Sequence, residues 1–306
     1  MVDSPLLKLN KMKVTIIGLG LIGGSIAIDL RKAGVATELV GIDRNADHAT
    51  KAVALGIVDK IESEEKALST SDLIITAIPV NAMCQLLPGL LDIIKPNAVV
   101  IDAGSTKRLL CKAVEHHEKR KQFVAAHPIA GTENSGPEAA FSGLYKDKTN
   151  IICEKEKSSP QALSIATLVF ESLGMNTIFM EPEEHDKHVA YVSHLSHVSS
   201  FLLGQTVLDI ERDEKNIFAL AGSGFASTVR LAKSSPDMWA PIFEQNAEYL
   251  SQALLEYIMH LQKFQYYLMK RDVKELHNIM TSANRIREIL NGIEHKQIKP
   301  VVEKVN

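Results

Sequence analysis

A histidine at the end of an apolar run is placed to take a proton. Here His127 follows the apolar residues 123–126 and opens HPIAGTE at 127–133, where Pro128 and Gly131 specify a turn. An imidazole with an ordinary pKa of ~6.5 accepts a proton from a hydroxyl near neutral pH, which makes His127 the candidate general base. The plainer reading is a buried ring bonded to backbone. A second apolar run ends in DAGSTK at 102–107. Its Ser105 either orients His127 or a substrate hydroxyl, or caps the helix that follows. Glu133 either gates a pocket or is a solvated loop charge.

Further along, SHLSH at 193–197 sets His194 and His197 three apart on one helix face, and His185 and His188 share that spacing. No third ligand stands at a recognised spacing, so no metal site is expected and contact with substrate is the better use of the pair. The loop GSGF at 222–225 leads to Arg230, whose planar fork suits a carboxylate; a surface helix charge is the alternative. Trp239, the only tryptophan, packs between helices or lines the pocket.

The strongest motif is KVTIIGLGLIGGS at 13–25. Gly18, Gly20 and Gly23 form G-x-G-x-x-G between an apolar run and a helical pattern. Gly18 permits the tight turn, Gly20 lets a pyrophosphate approach the backbone, and Gly23 lets helix and strand pack closely. Leu21 and Ile22, between Gly20 and Gly23, belong to the same cofactor-binding turn, which leads into a helix whose N-terminus faces the phosphates. Asp43 ends the second apolar run about 20 residues on, where it bonds both ribose hydroxyls. Its charge repels a 2′-phosphate, so NAD is expected over NADP, although Arg44 partly offsets that charge. Pro79 closes the third run, beside the expected nicotinamide.

These residues need a scaffold. Strand signals at 14–17, 39–42, 73–78, 99–101, 123–126, 150–153 and 176–179 alternate with helical patterns at 23–33, 46–55, 80–91, 106–118 and 160–173. Such alternation predicts an α/β domain with a mostly parallel sheet covered on both faces. After Pro182 the strand signals stop, and helical runs follow at 185–208, 236–269 and 273–290. Leu250, Leu254, Tyr257, Leu261, Phe264 and Leu268 recur at helical spacing. The division is therefore 1–182 and 183–306, with the second part all-helical, and its long apolar helices suggest pairing with a second copy. The polar tail from His295 is expected to fray.

Composition excludes several classes. Lys and Arg number 34 against 37 Asp and Glu, a formal net charge of −3, so there is no basic footprint for nucleic acid. Cys84, Cys111 and Cys153 are odd in number and lack a CxxC, as expected of free thiols in a reducing, cytoplasmic compartment. The opening stretch has no long apolar core, so no leader is expected. Two stretches without charged residues, 73–91 and 190–208, carry polar interruptions that fit buried elements better than membrane spans.

Together, GLGLIGGS (18–25), DAGSTK (102–107), HPIAGTE (127–133), SHLSH (193–197) and GSGFASTVRLAKSSPDMW (222–239) resemble the prephenate dehydrogenase family, in that family's order and over nearly the whole chain. The resemblance implies a Rossmann-type doubly wound domain followed by a helical dimerisation domain. It implies NAD-dependent oxidative decarboxylation of prephenate, a small dicarboxylate, to 4-hydroxyphenylpyruvate on the route to tyrosine. By position, His127 would bond the substrate C4 hydroxyl and assist its deprotonation, and Ser105 would bond the same hydroxyl and help hold His127. Arg230 would bind the ring carboxylate, His197 would shape the pocket, and Thr132 and Glu133 would stand at its entrance. Ser227 replaces an acidic residue found in some members. Three other readings are an arogenate dehydrogenase, a β-hydroxyacid dehydrogenase using Lys233, and a nucleotide-sensing protein without turnover.

Overall fold

A computed structural model describes residues 12–212 and 216–298 of the chain. The opening stretch and all but the first residues of the tail lie outside that range. Eight strands form one sheet in the order β3-β2-β1-β4-β5-β6-β7-β8. They are β1 (Met12–Ile17), β2 (Ala36–Ile42), β3 (Lys60–Ile61), β4 (Leu73–Thr76), β5 (Val99–Asp102), β6 (Phe123–Pro128), β7 (Thr149–Cys153) and β8 (Asn176–Met180). Every pairing is parallel except β6 with β7, where His127 faces Ile151. β1 pairs with both β2 and β4, so the strand order reverses there. A crevice at the carboxyl ends of the strands beside that reversal is where such sheets bind ligands.

The sheet is doubly wound because its strands are apolar on both faces. Val14, Ile16, Leu73, Ile75, Val99, Ile101, Val124 and Ala126 join one core with Ile26 and Leu30 of α1 (Leu21–Lys32). The alternate residues Ile17, Ile74, Val100, Phe123 and Ala125 join the other. Each such fully buried aliphatic side chain contributes about 1.5–3 kcal/mol. Helices α2 (Ala46–Ala54), α3 (Glu64–Thr70), α4 (Val80–Ile93), α5 (Arg108–Ala113) and α6 (Pro160–Ser172) complete this region. Met83, Leu87 and Leu91 of α4 and Leu110 of α5 line the second core; Ala166, Val169 and Phe170 of α6 line the first.

No strand follows Met180 among the described residues. The helices there are α7 (Pro182–Val189), α8 (Leu195–Glu211), α9 (Ser223–Thr228), α10 (Pro236–Gln245), α11 (Ala247–Met269), α12 (Val273–Ala283) and α13 (Ile286–Ile298). Two expected long helices are each broken. The run at 185–208 is interrupted by a wide π turn at Ala190–His194. The run at 236–269 is broken at Asn246, which is fully buried. The helix expected over 106–118 is only Arg108–Ala113, and the short strand β3 was not expected. As compact bodies, the chain divides between Leu250 and Ser251. In the second body Leu261, Phe264 and Leu268 are exposed in the single chain. No described helix is long and apolar enough to cross a membrane, and all three cysteines are free.

Candidate active site

Gly18 follows β1 with φ +94°, and a Cβ there would lie 2.4 Å from the Ala77 carbonyl oxygen. At Gly23 a Cβ would lie 2.0 Å from the Gly18 oxygen. Both positions need glycine to fold. Gly20 differs: a Cβ there meets nothing nearer than the Gly136 nitrogen at 3.9 Å, so its bareness leaves a cradle open to a ligand. Gly20 is also the N-cap of α1, with no side-chain cap and no acidic residue in the first turn. By contrast, Asn45 and Ser159 cap α2 and α6. The free N–H groups and positive helix end suit a phosphate. Leu21 is buried and Ile22 half-buried at this end.

Asp43, just beyond β2, accepts from Leu19 N at 2.8 Å and from Asn45 N at 2.8 Å. Its carboxylate is thereby fixed against the glycine turn, where it would meet a ribose. Pro79 is exposed and stands as the N-cap just before α4. Uncapped helix, open Gly20 and fixed carboxylate together fit a pyridine dinucleotide without a 2′-phosphate.

The loop after β5 is held from below. Lys107 and Asp102, both fully buried, form an ion pair, and Asp102 also accepts from Gly104 N at 3.1 Å. Ser105 sits half-buried on this loop. It caps no helix, because α5 begins at Arg108 behind Lys107. Nor does it hold the His127 ring: His127 Nδ1 lies 2.8 Å from His185 Nε2 instead.

His127 stands near the carboxyl end of β6. Burial, together with the nearby His185, Lys107 and His194, holds its pKa well below the usual histidine range. Among the described residues its Nε2 has no hydrogen-bond partner, and it is not one of the sealed, unpaired polar atoms. His185 is itself fully buried, and its Nδ1 lies 2.7 Å from Asp186 Oδ1. Neither residue was expected at the site; the adjacent His-Asp pair at the start of α7 was the available signal. His188 is exposed, and no cluster of three metal-binding side chains occurs among the described residues.

The following loop folds back on α1. Phe141 N donates to Ser25 Oγ at 3.0 Å, Ser142 Oγ to Asp29 Oδ1 at 2.6 Å, and Tyr145 OH to the Ile22 carbonyl at 2.8 Å. These bonds anchor the segment bearing Thr132 and Glu133 near the glycine turn. Thr132 Oγ1 accepts from Asn134 N. Glu133 pairs with Arg230, Nη1 to Oε2, at 3.1 Å. Its own backbone N–H and Arg230 keep its carboxyl below the ordinary range.

The His197 ring stacks on Trp239, centroids 3.5 Å apart and planes 25° apart. His194 meets the edge of the same indole, and its Nδ1 accepts from Asn246 Nδ2 at 3.1 Å. Trp239 therefore does pack between helices, as a shelf beneath His197. Lys233 is exposed.

Two family models match the chain. The family model described as prephenate dehydrogenase, nucleotide-binding domain, matches residues 26–179, and that described as prephenate dehydrogenase, dimerization domain, matches residues 181–282. A prephenate dehydrogenase of Bacillus subtilis is 31% identical over 293 residues, covering 92% of this chain and 77% of the relative. A cyclohexadienyl dehydrogenase of Zymomonas mobilis is 29% identical over 85% of this chain and 89% of its own. Among solved structures, a prephenate dehydrogenase from Aquifex aeolicus in complex with hydroxyphenyl propionate and NAD+ has a TM-score of 0.85 at 33% identity, covering 92% of this chain and 99% of that one. A Synechocystis arogenate dehydrogenase has a TM-score of 0.72 at 28% identity, covering 91% of this chain and 100% of that one.

Proposed function

This chain belongs to the prephenate dehydrogenase family, and we propose that it oxidatively decarboxylates prephenate to 4-hydroxyphenylpyruvate and carbon dioxide with NAD. NAD, held at the Gly18–Gly23 turn, would supply the acceptor for a hydride from C4 of the cyclohexadienol ring. His127 Nε2 takes the proton of the C4 hydroxyl and returns it to the phenolate oxygen once the ring is aromatic. Ser105 bonds the same hydroxyl. Arg230 holds the ring carboxylate until it leaves as carbon dioxide, and aromatisation drives the reaction forward. His197, on its Trp239 shelf, walls the pocket, with Thr132 and Glu133 at the mouth. Gly18, Gly20, Leu21, Ile22, Gly23, Asp43 and Pro79 carry the dinucleotide. Residues 1–182 hold the cofactor, and 183–306 complete the substrate pocket and pair with a second copy.

One observation carries this reading: His127 offers an Nε2 without a partner among the described residues, at the carboxyl ends of the strands where the open Gly20 turn also lies. The exposed Leu261, Phe264 and Leu268 favour a homodimer through the helical part, for which light scattering should return twice the chain mass. The likeness to the Synechocystis enzyme favours arogenate as the alternative substrate. NADH absorbance with NAD or NADP, against prephenate and arogenate in turn, tests substrate and cofactor together. Fast turnover of NAD with prephenate supports the proposal; turnover with arogenate alone replaces it.

A further inference from the structure

We propose that His185 and Asp186 fix the tautomer of His127, placing its proton on Nδ1 and its lone pair on Nε2. This rests on the reading of His127 as the base and explains how that base is held ready.

Asp186 Oδ1 accepts from Lys107 N at 2.8 Å, and Oδ2 from Arg108 N at 2.9 Å. Those two backbone donors orient the carboxylate, and His185 helps keep it ionised despite burial. An ionised carboxylate only accepts, so His185 Nδ1, 2.7 Å from Oδ1, carries a hydrogen. A neutral imidazole has one donor and one acceptor nitrogen, which leaves the lone pair on His185 Nε2. His127 Nδ1, 2.8 Å away, must then donate. The remaining nitrogen of His127, Nε2, is left basic and, among the described residues, without a partner.

Both rings must be neutral for this order to hold. Burial disfavours the charged form of each, and Lys107 opposes it for both. His194 adds to that opposition at His127, while Asp186 and Asp102 work against it at His185. His185 and Asp186 are both buried, so water does not compete for their bonds. Asn246 Nδ2 donates to the Asp186 carbonyl at 2.7 Å and so pins this part of α7. A free histidine side chain in water favours the opposite tautomer, with the proton on Nε2, which could not take a proton from a hydroxyl there. His185 and Asp186 are thus positioning residues that act through His127 without touching substrate.

The test uses the full chain labelled with 15N-histidine and observes the ring nitrogens of His127. The expected result is a protonated Nδ1 and an unprotonated Nε2. In His185→Leu the proton should move to Nε2, with kcat falling on the order of 10²–10⁴-fold and KM for both substrates little changed. His185→Gln, whose amide oxygen can accept from Nδ1, should restore the original tautomer and recover at least about tenfold in kcat over the leucine variant. A wild-type spectrum with the proton on Nε2 overturns the proposal, even if His185→Leu fails to fold. So does a leucine variant that keeps both tautomer and kcat. Failure of the underlying reading looks different: His127→Asn would then turn over normally while the spectrum of the wild type stayed as expected.

Discussion

Arg230 and Glu133 meet at 3.1 Å although 97 positions separate them in the chain. Both side chains keep contact with solvent, at 52% and 28% exposure, so the pair adds little to folding and exchanges readily. A substrate carboxylate competes with Glu133 for the guanidinium. Arg230→Ala should raise the prephenate KM tenfold or more, by about 1.4 kcal/mol of binding, with kcat and thermal midpoint nearly unchanged. Glu133→Gln should leave KM the same or lower it. Steady-state kinetics of the two variants decide whether the ring carboxylate sits here; an unchanged KM for Arg230→Ala places it elsewhere.

Removing the base should act on turnover. His127→Asn should lose about 10²–10⁴-fold in kcat with prephenate binding largely kept. Because burial holds the His127 pKa well below its usual value, the ring stays neutral, and able to accept a proton, to lower pH than an exposed histidine. The acid limb of the kcat profile should therefore begin below pH ~6.5. A limb centred above that value contradicts the assignment.

Asp43 is expected to set cofactor choice. Asp43→Ser removes the charge facing a 2′-phosphate and also releases Leu19 N and Asn45 N. The KM for NAD should rise about tenfold, and the ratio of NADP to NAD efficiency should rise by at least as much. Paired kinetics with the two cofactors give that ratio.

The glycines separate folding from binding. Gly23→Ala forces a Cβ to 2.0 Å from a backbone oxygen and should lower the thermal midpoint of the protein without cofactor. Gly20→Ala meets open space within the chain, so its midpoint should hold while NAD affinity drops. Thermal melts with and without NAD distinguish the two. Equal midpoints and equal NAD affinity would remove Gly20 from the cofactor site.

Acid should unfold the protein through its buried imidazoles. Burial lowers the His194 pKa from 6.5 to about 4. Between those values the unfolded chain binds a proton that the native chain refuses, so stability falls as pH drops through that window and levels off below it. The whole loss from this group is on the order of 3 kcal/mol. His127, His185 and His197 are shifted in the same direction and add to the slope. Urea unfolding at pH 7 and pH 4.5 should show His194→Gln losing less on acidification than the wild type.

Much of the scaffold was legible because local rules decide it. Gly18, Gly20 and Gly23 have fixed steric duties, and strands buried on both faces read as apolar runs. The mostly parallel sheet followed from strand and helix alternation. The β6–β7 pairing is antiparallel for reasons of long-range topology, which no local pattern records. The partner of His127 was hidden for a similar cause: His185 lies 58 positions away, and its pairing depends on how α7 meets the end of β6. Ser105 read equally well as a cap, and only the late start of α5 at Arg108 removes that role. Asn246 looked like one polar residue in a helical run, yet its buried amide bonds the Asp186 carbonyl and breaks the run in two.

The wide turn at Ala190–His194 joins α7, which carries His185 and Asp186, to α8, which carries His197. An α-helix rotates about 100° per residue. Cutting out one residue, such as the exposed Val192, would regularise the spiral and swing His197 off its indole while leaving the His127 relay untouched. The two walls are geared to each other by angular phase, so the length of this segment is under as much constraint as its composition.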